Sequence, residues 1–148
     1  MITQYFGRDA NHVPITGLGL ITSKTITYVA GTTGATGATT LFTVTGTVAL
    51  NVYALCTADL TSGGSATIEI GTATSTAALA NQVVATTIDN HEVYSNSTLA
   101  VGGAVAGYTH VVNESVIQTI GTTTITGGTL VIYCNWIPLS EDGNVEAA

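Results

Sequence analysis

The chain has 148 residues, of which only two are basic and nine are acidic, and its formal net charge is −7. This length fits one domain with a single core, and two cations can neither neutralise a nucleic-acid backbone nor form a polybasic membrane patch. Hydrophobic residues make up 45% of the chain, but they are interleaved with Thr, Gly and Ser, and no window approaches the roughly 20 apolar residues of a membrane-spanning helix. We therefore expect a globular protein that binds neither nucleic acid nor membranes.

Residues 1–18 are predicted to form an N-terminal arm. Arg8 and Asp9 lie where a secretory signal needs an apolar stretch, so we expect synthesis in a cytosol. Tyr5 and Phe6 precede this charged pair, and aromatic side chains are favoured at protein interfaces. The arm therefore offers two candidate interface residues.

The segment from 41 to 56 alternates between apolar and polar residues, as half-buried strands do. It predicts one long strand, or two strands that meet at a bulge near Gly46. The turn-forming residues 59–64 then separate it from residues 66–70, which alternate again. This order predicts a hairpin in which the polar Glu69 faces water.

The middle of the chain gives weaker signals. Residues 76–85 are the one stretch whose composition suits a helix, and they predict a short helix or an irregular crossover. Three shorter strands are predicted beyond it, at 91–95, 108–112 and 114–120.

The last strand has the clearest pattern, because it is apolar on nearly both faces. One face consists of Leu130, Ile132, Cys134 and Trp136, and the other of Val131, Tyr133, Asn135 and Ile137. Such a strand is expected to be central in its sheet, and Pro138 ends it because proline cannot donate to the ladder. Residues 140–148 carry three acids and are expected to form a polar tail.

These elements predict an all-β fold. About eight short strands with regular turns and almost no helix indicate an antiparallel β-sandwich over residues 19–139, and a jelly-roll-like arrangement is the preferred interpretation. The 29 threonines suit this fold, because threonine is a good strand former that keeps an exposed face polar without charge.

The sequence offers little for catalysis or metal binding. The run from Asp89 to Glu92 has ligand atoms suited to divalent ions, but neighbouring residues on a strand point to opposite faces, so a solvated turn is expected. His91 and His110 accompany no nucleophile motif. Cys56 and Cys134 are expected as buried, reduced thiols. We therefore expect no cofactor, no metal and no enzymatic activity.

Three segments together resemble a known family. They are VTGTV at 44–48, ATIEIGTA at 66–73 and IYCNWIPLSEDGNV at 132–145. The sequence resembles small virion proteins of tailed bacteriophages, and most nearly their capsid cement, or decoration, proteins. The resemblance covers about residues 40–145, and its most specific piece is the strand that ends in WIPLSEDGNV.

The resemblance implies a function by binding. Cement proteins of this kind tend to be homotrimeric β-sandwiches that bind the major capsid protein on the outer surface of the phage head and stabilise the shell. It also implies assembly in the host cytoplasm and a final place in the virion. Tyr94 and Tyr108 are two further aromatic residues at the ends of predicted elements, and together with Tyr5 and Phe6 they are the candidate interface residues.

Two alternatives remain open at this stage. The first is a head-fibre or tail module that binds a glycan of the host surface, for which Tyr94 with Asn90 and Asn96 is the candidate platform. The second is a β-sandwich hydrolase that depends on His91 or His110.

Overall fold

The computed structural model describes residues 19–95, 98–99 and 110–148. The predicted N-terminal arm therefore lies outside the described residues. The strands are β1 (Leu20–Thr27), β2 (Gly37–Thr45), β3 (Val48–Ser62), β4 (Thr67–Gly71), β5 (Ala80–Val84), β6 (Val93–Tyr94), β7 (Thr98–Leu99), β8 (His110–Val112), β9 (Val116–Gly121), β10 (Ile125–Pro138) and β11 (Asn144–Ala147).

These strands form two antiparallel sheets that pack face to face. The first sheet has the order β1-β10-β3-β6-β7, and β8 pairs with β3 beside β6. The second sheet has the order β11-β2-β9-β4-β5. All pairings in both sheets are antiparallel.

The path of the chain between the sheets is that of a jelly roll. Strands β1, β3, β6 and β10 lie in the first sheet, whereas β2, β4, β5 and β9 lie in the second. Their orders, β1-β10-β3-β6 and β2-β9-β4-β5, interleave the early and late strands as in a double Greek key. The predicted jelly-roll-like β-sandwich is thus confirmed, with β7, β8 and β11 as short additions.

The core lies between the two sheets. Leu130, Ile132, Cys134 and Trp136 on β10 are all buried, as alternation along the strand requires. Strand β10 is hydrogen-bonded to β1 on one side and to β3 on the other. The prediction of a central strand ending at Pro138 is therefore confirmed.

Gly46 forms the corner between the sheets. Its φ of +63° is a left-handed conformation, which glycine adopts without steric cost. The chain leaves β2 in the second sheet there and enters β3 in the first, so the two-strand interpretation is correct. Residues 138–143 fold onto this corner: the Ser140 hydroxyl accepts a hydrogen bond from the Thr47 N–H at 2.8 Å, and a Cβ on Gly46 would lie 2.4 Å from Asp142 Oδ1.

The predicted hairpin after residue 56 is wrong. Strand β3 continues to Ser62, because its last residues pair with the beginning of β10 through irregular register shifts. Strand β4 lies in the other sheet, where it pairs with β5 and β9. Glu69 does not face water as expected: it is only 8% exposed, and Gln82 Nε2 donates to its Oε2 at 3.0 Å.

Two further segments are strands that their composition did not indicate. Residues 80–84, inside the predicted helix or crossover, form β5 opposite β4, and a single 3-10 turn follows at Ala85–Thr87. Residues 144–147, in the predicted polar tail, form β11 beside β2, with Val145 buried in the core. Strand pairing decides both segments, because it overrides weak local preferences.

The edge of the sandwich beside β1 is closed by side chains. Trp136 Nε1 donates to Thr22 Oγ1 at 3.0 Å, and Thr22 Oγ1 donates to the Val145 carbonyl at 2.9 Å. Lys24 Nζ donates to the carbonyl oxygens of Thr40 and Ala148. These contacts tie β1 of the first sheet to β2 and β11 of the second.

Candidate interaction surface

Two buried tyrosines connect the sheets. Tyr94 on β6 is fully buried, and its hydroxyl lies 2.8 Å from the Asn81 carbonyl oxygen and 3.0 Å from that of Ile68. The Tyr28 hydroxyl donates to Gln118 Oε1 at 2.9 Å. Burial raises the pKa of both phenols above their ordinary value.

The position of Tyr94 corrects the expectation that it is an interface residue. Its ring lies in the core, so it offers no exposed platform for a glycan either. The remaining candidate interface residues, Tyr5, Phe6 and Tyr108, lie outside the described residues.

The structure instead reveals an apolar surface on the outside of the first sheet. We call it the tyrosine face. It consists of the outward side chains Ile21, Ser23, Thr25 and Thr27 on β1, Ala49, Asn51, Tyr53 and Leu55 on β3, Val93 on β6, Val111 on β8, and Thr129, Val131, Tyr133, Asn135 and Ile137 on β10.

An aromatic pair occupies the middle of the tyrosine face. Tyr53 and Tyr133 are opposite each other in register, and their rings stack with centroids 5.3 Å apart and planes 23° from parallel. Such pairs stabilise beyond the area they bury. Two residues along the strands, Asn51 and Asn135 are again in register. The Asn135 Oδ1 atom is buried and has no hydrogen-bond partner.

The margins of the tyrosine face are more exposed than its centre. Ile21 on β1 is 61% exposed and Val111 on β8 is 65% exposed. None of the side chains that define the face is acidic or basic. Nine of its fifteen side chains are apolar, and an uncharged, partly exposed apolar patch marks an interaction site more often than a solvated face.

The outside of the second sheet differs in chemistry. We call it the threonine face. It consists of the outward side chains Ala38, Thr40, Thr43 and Thr45 on β2, Thr67 and Glu69 on β4, Val84 on β5, Ile117 and Thr119 on β9, and Asn144 and Glu146 on β11. Glu69 is nearly buried and bonded to Gln82, but the exposed threonines and Glu146 are typical of a surface that stays in water.

The acidic run at 89–92 is a hydrogen-bonded loop beside β3. The Asn90 N–H donates to Asp59 Oδ1 at 2.6 Å, and the Asp89 N–H donates to Glu92 Oε2 at 3.0 Å. His91 has a left-handed φ of +70° and is exposed. Within residues 19–95, 98–99 and 110–148, no three His, Cys, Asp or Glu side chains are grouped so that they could hold a metal ion.

The two cysteines are buried and free, as predicted. Burial raises the pKa of the Cys134 thiol to about 12, and burial is also the main cause of the raised pKa of Cys56. Since the thiolate is the reactive form, burial and the raised pKa both lower the reactivity of the two thiols in the folded chain.

The other polar features are small. A depression of about 110 Å³ is lined by Thr72, Val111, Val112, Asn113 and Glu114, well below the roughly 300–1,000 Å³ of typical ligand pockets. In this depression the Glu114 carboxylate accepts hydrogen bonds from the Thr74 hydroxyl and N–H, which lower its pKa.

His110, a candidate of the hydrolase alternative, is half-buried on β8 and is not part of the loop that carries His91.

Comparison with known proteins gives no relative. No protein-family model matches the chain, and neither a curated protein nor a solved structure resembles it at a significant level. The described part of the chain contains no helix that is long and apolar enough to span a membrane.

Proposed function

We propose that this protein is a capsid decoration protein of a tailed bacteriophage. It binds the major capsid protein on the outer surface of the head as a homotrimer and stabilises the shell without catalysing a reaction. The observation that carries the proposal is the tyrosine face: a jelly roll with an uncharged, partly exposed apolar face is suited to lasting contact with protein.

Chemistry and fold support this proposal in different ways. The jelly roll occurs in viral capsid proteins and in lectins, so the fold alone does not decide the function. The segment that resembles cement proteins most specifically, residues 136–145, includes residues 138–143, which build the corner around Gly46. They support a shared architecture, and the binding surface has to come from other residues.

In this proposal, the affinity for the capsid shell comes from the symmetry of the trimer and not from electrostatic attraction. A chain with a net charge of −7 and an uncharged face gains little from electrostatic attraction. A trimer engages several shell subunits at once, so that modest contacts combine through a high effective concentration. Stabilisation of the shell then follows because the bound trimer links neighbouring capsid subunits.

The test is binding to phage heads that were assembled without this chain. The purified protein is mixed with these heads, and the bound amount and the temperature at which the heads release their DNA are measured. We expect saturable binding in multiples of three copies and a higher release temperature. A folded protein that does not co-sediment with the heads at any concentration would contradict the proposal.

A further inference from the structure

The tyrosine face is too apolar to be left in contact with water in a free subunit. Ile21 and Val111 are more than half exposed at its margins, and Tyr53, Leu55, Val131 and Tyr133 lie half-buried between them. Contiguous apolar surface of this kind is a risk of aggregation unless a partner covers it. In the proposed function, the shell becomes available only after the chain has folded.

We propose that copies of this chain associate with each other through the tyrosine face. This inference rests on the proposed function, which requires an oligomer, and assigns the contact within it. A second copy is available to cover the face as soon as the chain is synthesised, before the chain meets a capsid shell.

The distribution of charge favours self-association through the tyrosine face over self-association through the threonine face. Each copy has a formal charge of −7, so two copies repel each other at long range. The tyrosine face brings no carboxylate to the contact, whereas the threonine face would bring the exposed carboxylate of Glu146. The first sheet is therefore where like-charged subunits approach each other at least cost.

The area is sufficient for a specific contact. Nine residues of β10 extend over roughly 30 Å and four adjacent strands over roughly 19 Å, so the face covers roughly 500–600 Å² on each copy. Two such faces packed fully against each other, as in a dimer, bury roughly 1,100 Å², slightly above the roughly 1,000 Å² that separates specific interfaces from incidental contacts. In a trimer the same faces bury roughly 1,600–1,700 Å² in total, divided over three contacts.

The arrangement of the tyrosines fits a protein partner better than a glycan. Sugars stack on the faces of aromatic rings, but Tyr53 and Tyr133 turn one face toward each other. The amide oxygen of Asn135 beside them is buried and cannot accept a hydrogen bond from a sugar hydroxyl. A stacked pair of this kind instead presents a rigid apolar ridge, and aromatic residues are enriched in the centre of protein interfaces.

The experiment compares single lysine substitutions on the two outer faces of the full chain. Ile21→Lys and Val111→Lys place a charge at exposed margins of the tyrosine face, where folding tolerates it. Thr43→Lys places the same charge on the exposed middle of β2 on the threonine face and serves as the matched control. Mass is measured by light scattering over a range of protein concentrations, and folding is checked by circular dichroism.

We expect the wild-type protein and Thr43→Lys to be oligomeric, and both tyrosine-face variants to dissociate at concentrations at least tenfold higher than the wild type. A wild-type protein that is monomeric at all concentrations, or folded Ile21→Lys and Val111→Lys variants with unchanged mass, would overturn the inference.

The outcomes also separate this inference from the proposed function. A dimer that both tyrosine-face variants disrupt supports the contact and contradicts the trimer. Variants that keep the wild-type oligomer while the protein still binds phage heads overturn the contact and leave the proposed function standing. Oligomerisation through the face without any binding to heads supports the contact and contradicts the decoration function.

Discussion

The two outer faces of the sandwich have the same backbone architecture and opposite chemistry. The tyrosine face joins aromatic and aliphatic side chains of β10 and β3 with Ile21 and three hydroxyl side chains of β1, and it contains no carboxylate. The threonine face joins threonines across β2, β9 and β4 with the exposed Glu146 and the nearly buried Glu69. An isolated sandwich would need the second kind of surface on both sides, since only one side of each sheet faces the core.

The difference teaches how a protein with few charged side chains can make its two outer faces unlike each other. Threonine keeps a strand face hydrated without charge and without strong attraction to a partner. Tyrosine, leucine and valine at equivalent strand positions lower the free energy of association by leaving water. The two outer faces thus differ mainly in apolar area, with charge only as a secondary difference, and the proposed contact lies on the more apolar one.

The strongest test of this comparison is the dependence of thermal stability on protein concentration. If the tyrosine face is covered by another copy, the free energy of unfolding per chain of a homotrimer rises by roughly 2 kcal/mol over a hundredfold increase in concentration. For a domain of this size, that raises the melting temperature by roughly 4–8 °C. Differential scanning calorimetry at several concentrations measures this change.

The same scans on two variants identify the face responsible. Val111→Lys is expected to flatten the concentration dependence, whereas Thr43→Lys should retain it. A melting temperature that is independent of concentration in the wild-type protein would mean that both outer faces remain in water.

The sequence alone predicted which residues of a single strand point outward, but it did not predict how outward residues of different strands combine into a face. The alternation of β2 correctly placed Thr43 and Thr45 on a polar face, because a half-buried strand shows its orientation in its own residues. The two-sided apolar pattern of β10 predicted a central strand, and Leu130 and Trp136 are indeed buried. It also indicated that the outward side carries Val131 and Tyr133.

The tyrosine face as a surface could not be predicted, because it depends on register between distant strands. Tyr53 and Tyr133 stack only because β3 and β10 pair in one particular register. The predicted hairpin failed for a related reason: the turn at 63–66 has the same composition whether the next strand pairs with β3 or crosses to the other sheet. Tyr94 lies in a strand of two residues, which is too short for alternation to show that it faces the core.

Removal of tyrosine hydroxyls separates the inner and outer surfaces of the first sheet. Tyr94→Phe leaves the carbonyl oxygens of Asn81 and Ile68 in the core without this donor, and we expect a loss of about 1–3 kcal/mol in the free energy of unfolding. Tyr133→Phe on the tyrosine face keeps the stacked ring and should change stability by less than about 0.5 kcal/mol. Urea unfolding of both variants at one protein concentration provides the measurement, and equal losses would contradict the assignment of inner and outer tyrosines.

Each outer face also contains one buried polar atom without a hydrogen-bond partner, Asn135 Oδ1 on the tyrosine face and Thr119 Oγ1 on the threonine face. Such a group costs stability because it has lost its contact with water. Thr119→Val removes the hydroxyl with little change in shape, so we expect the free energy of unfolding to rise by up to about 1 kcal/mol. Asn135→Leu should act in the same direction. Urea midpoints test both, and a clear loss of stability in Thr119→Val would show that its hydroxyl has a partner after all.

The smallest expected effect concerns the border of the tyrosine face, where Glu114 lines the same depression as Val111. Hydrogen bonds from the Thr74 hydroxyl and N–H hold the pKa of Glu114 below its ordinary value of 4.5. A carboxyl whose pKa is lower in the folded state stabilises the fold above its unfolded pKa, and this contribution is lost as the pH falls through the folded pKa.

Glu114→Gln removes the titrating group and keeps an acceptor oxygen in the same place. At neutral pH the variant should be slightly less stable than the wild type, because a neutral amide accepts weaker hydrogen bonds than a carboxylate. The difference between their melting temperatures should shrink as the pH falls below about 4.5, since the wild-type carboxyl becomes protonated there. Thr74→Val, which removes the donating hydroxyl, should weaken the same pH dependence while leaving Glu114 in place. A difference between wild type and Glu114→Gln that stays constant from neutral to acidic pH would mean that the Thr74 hydrogen bonds do not favour the charged carboxylate.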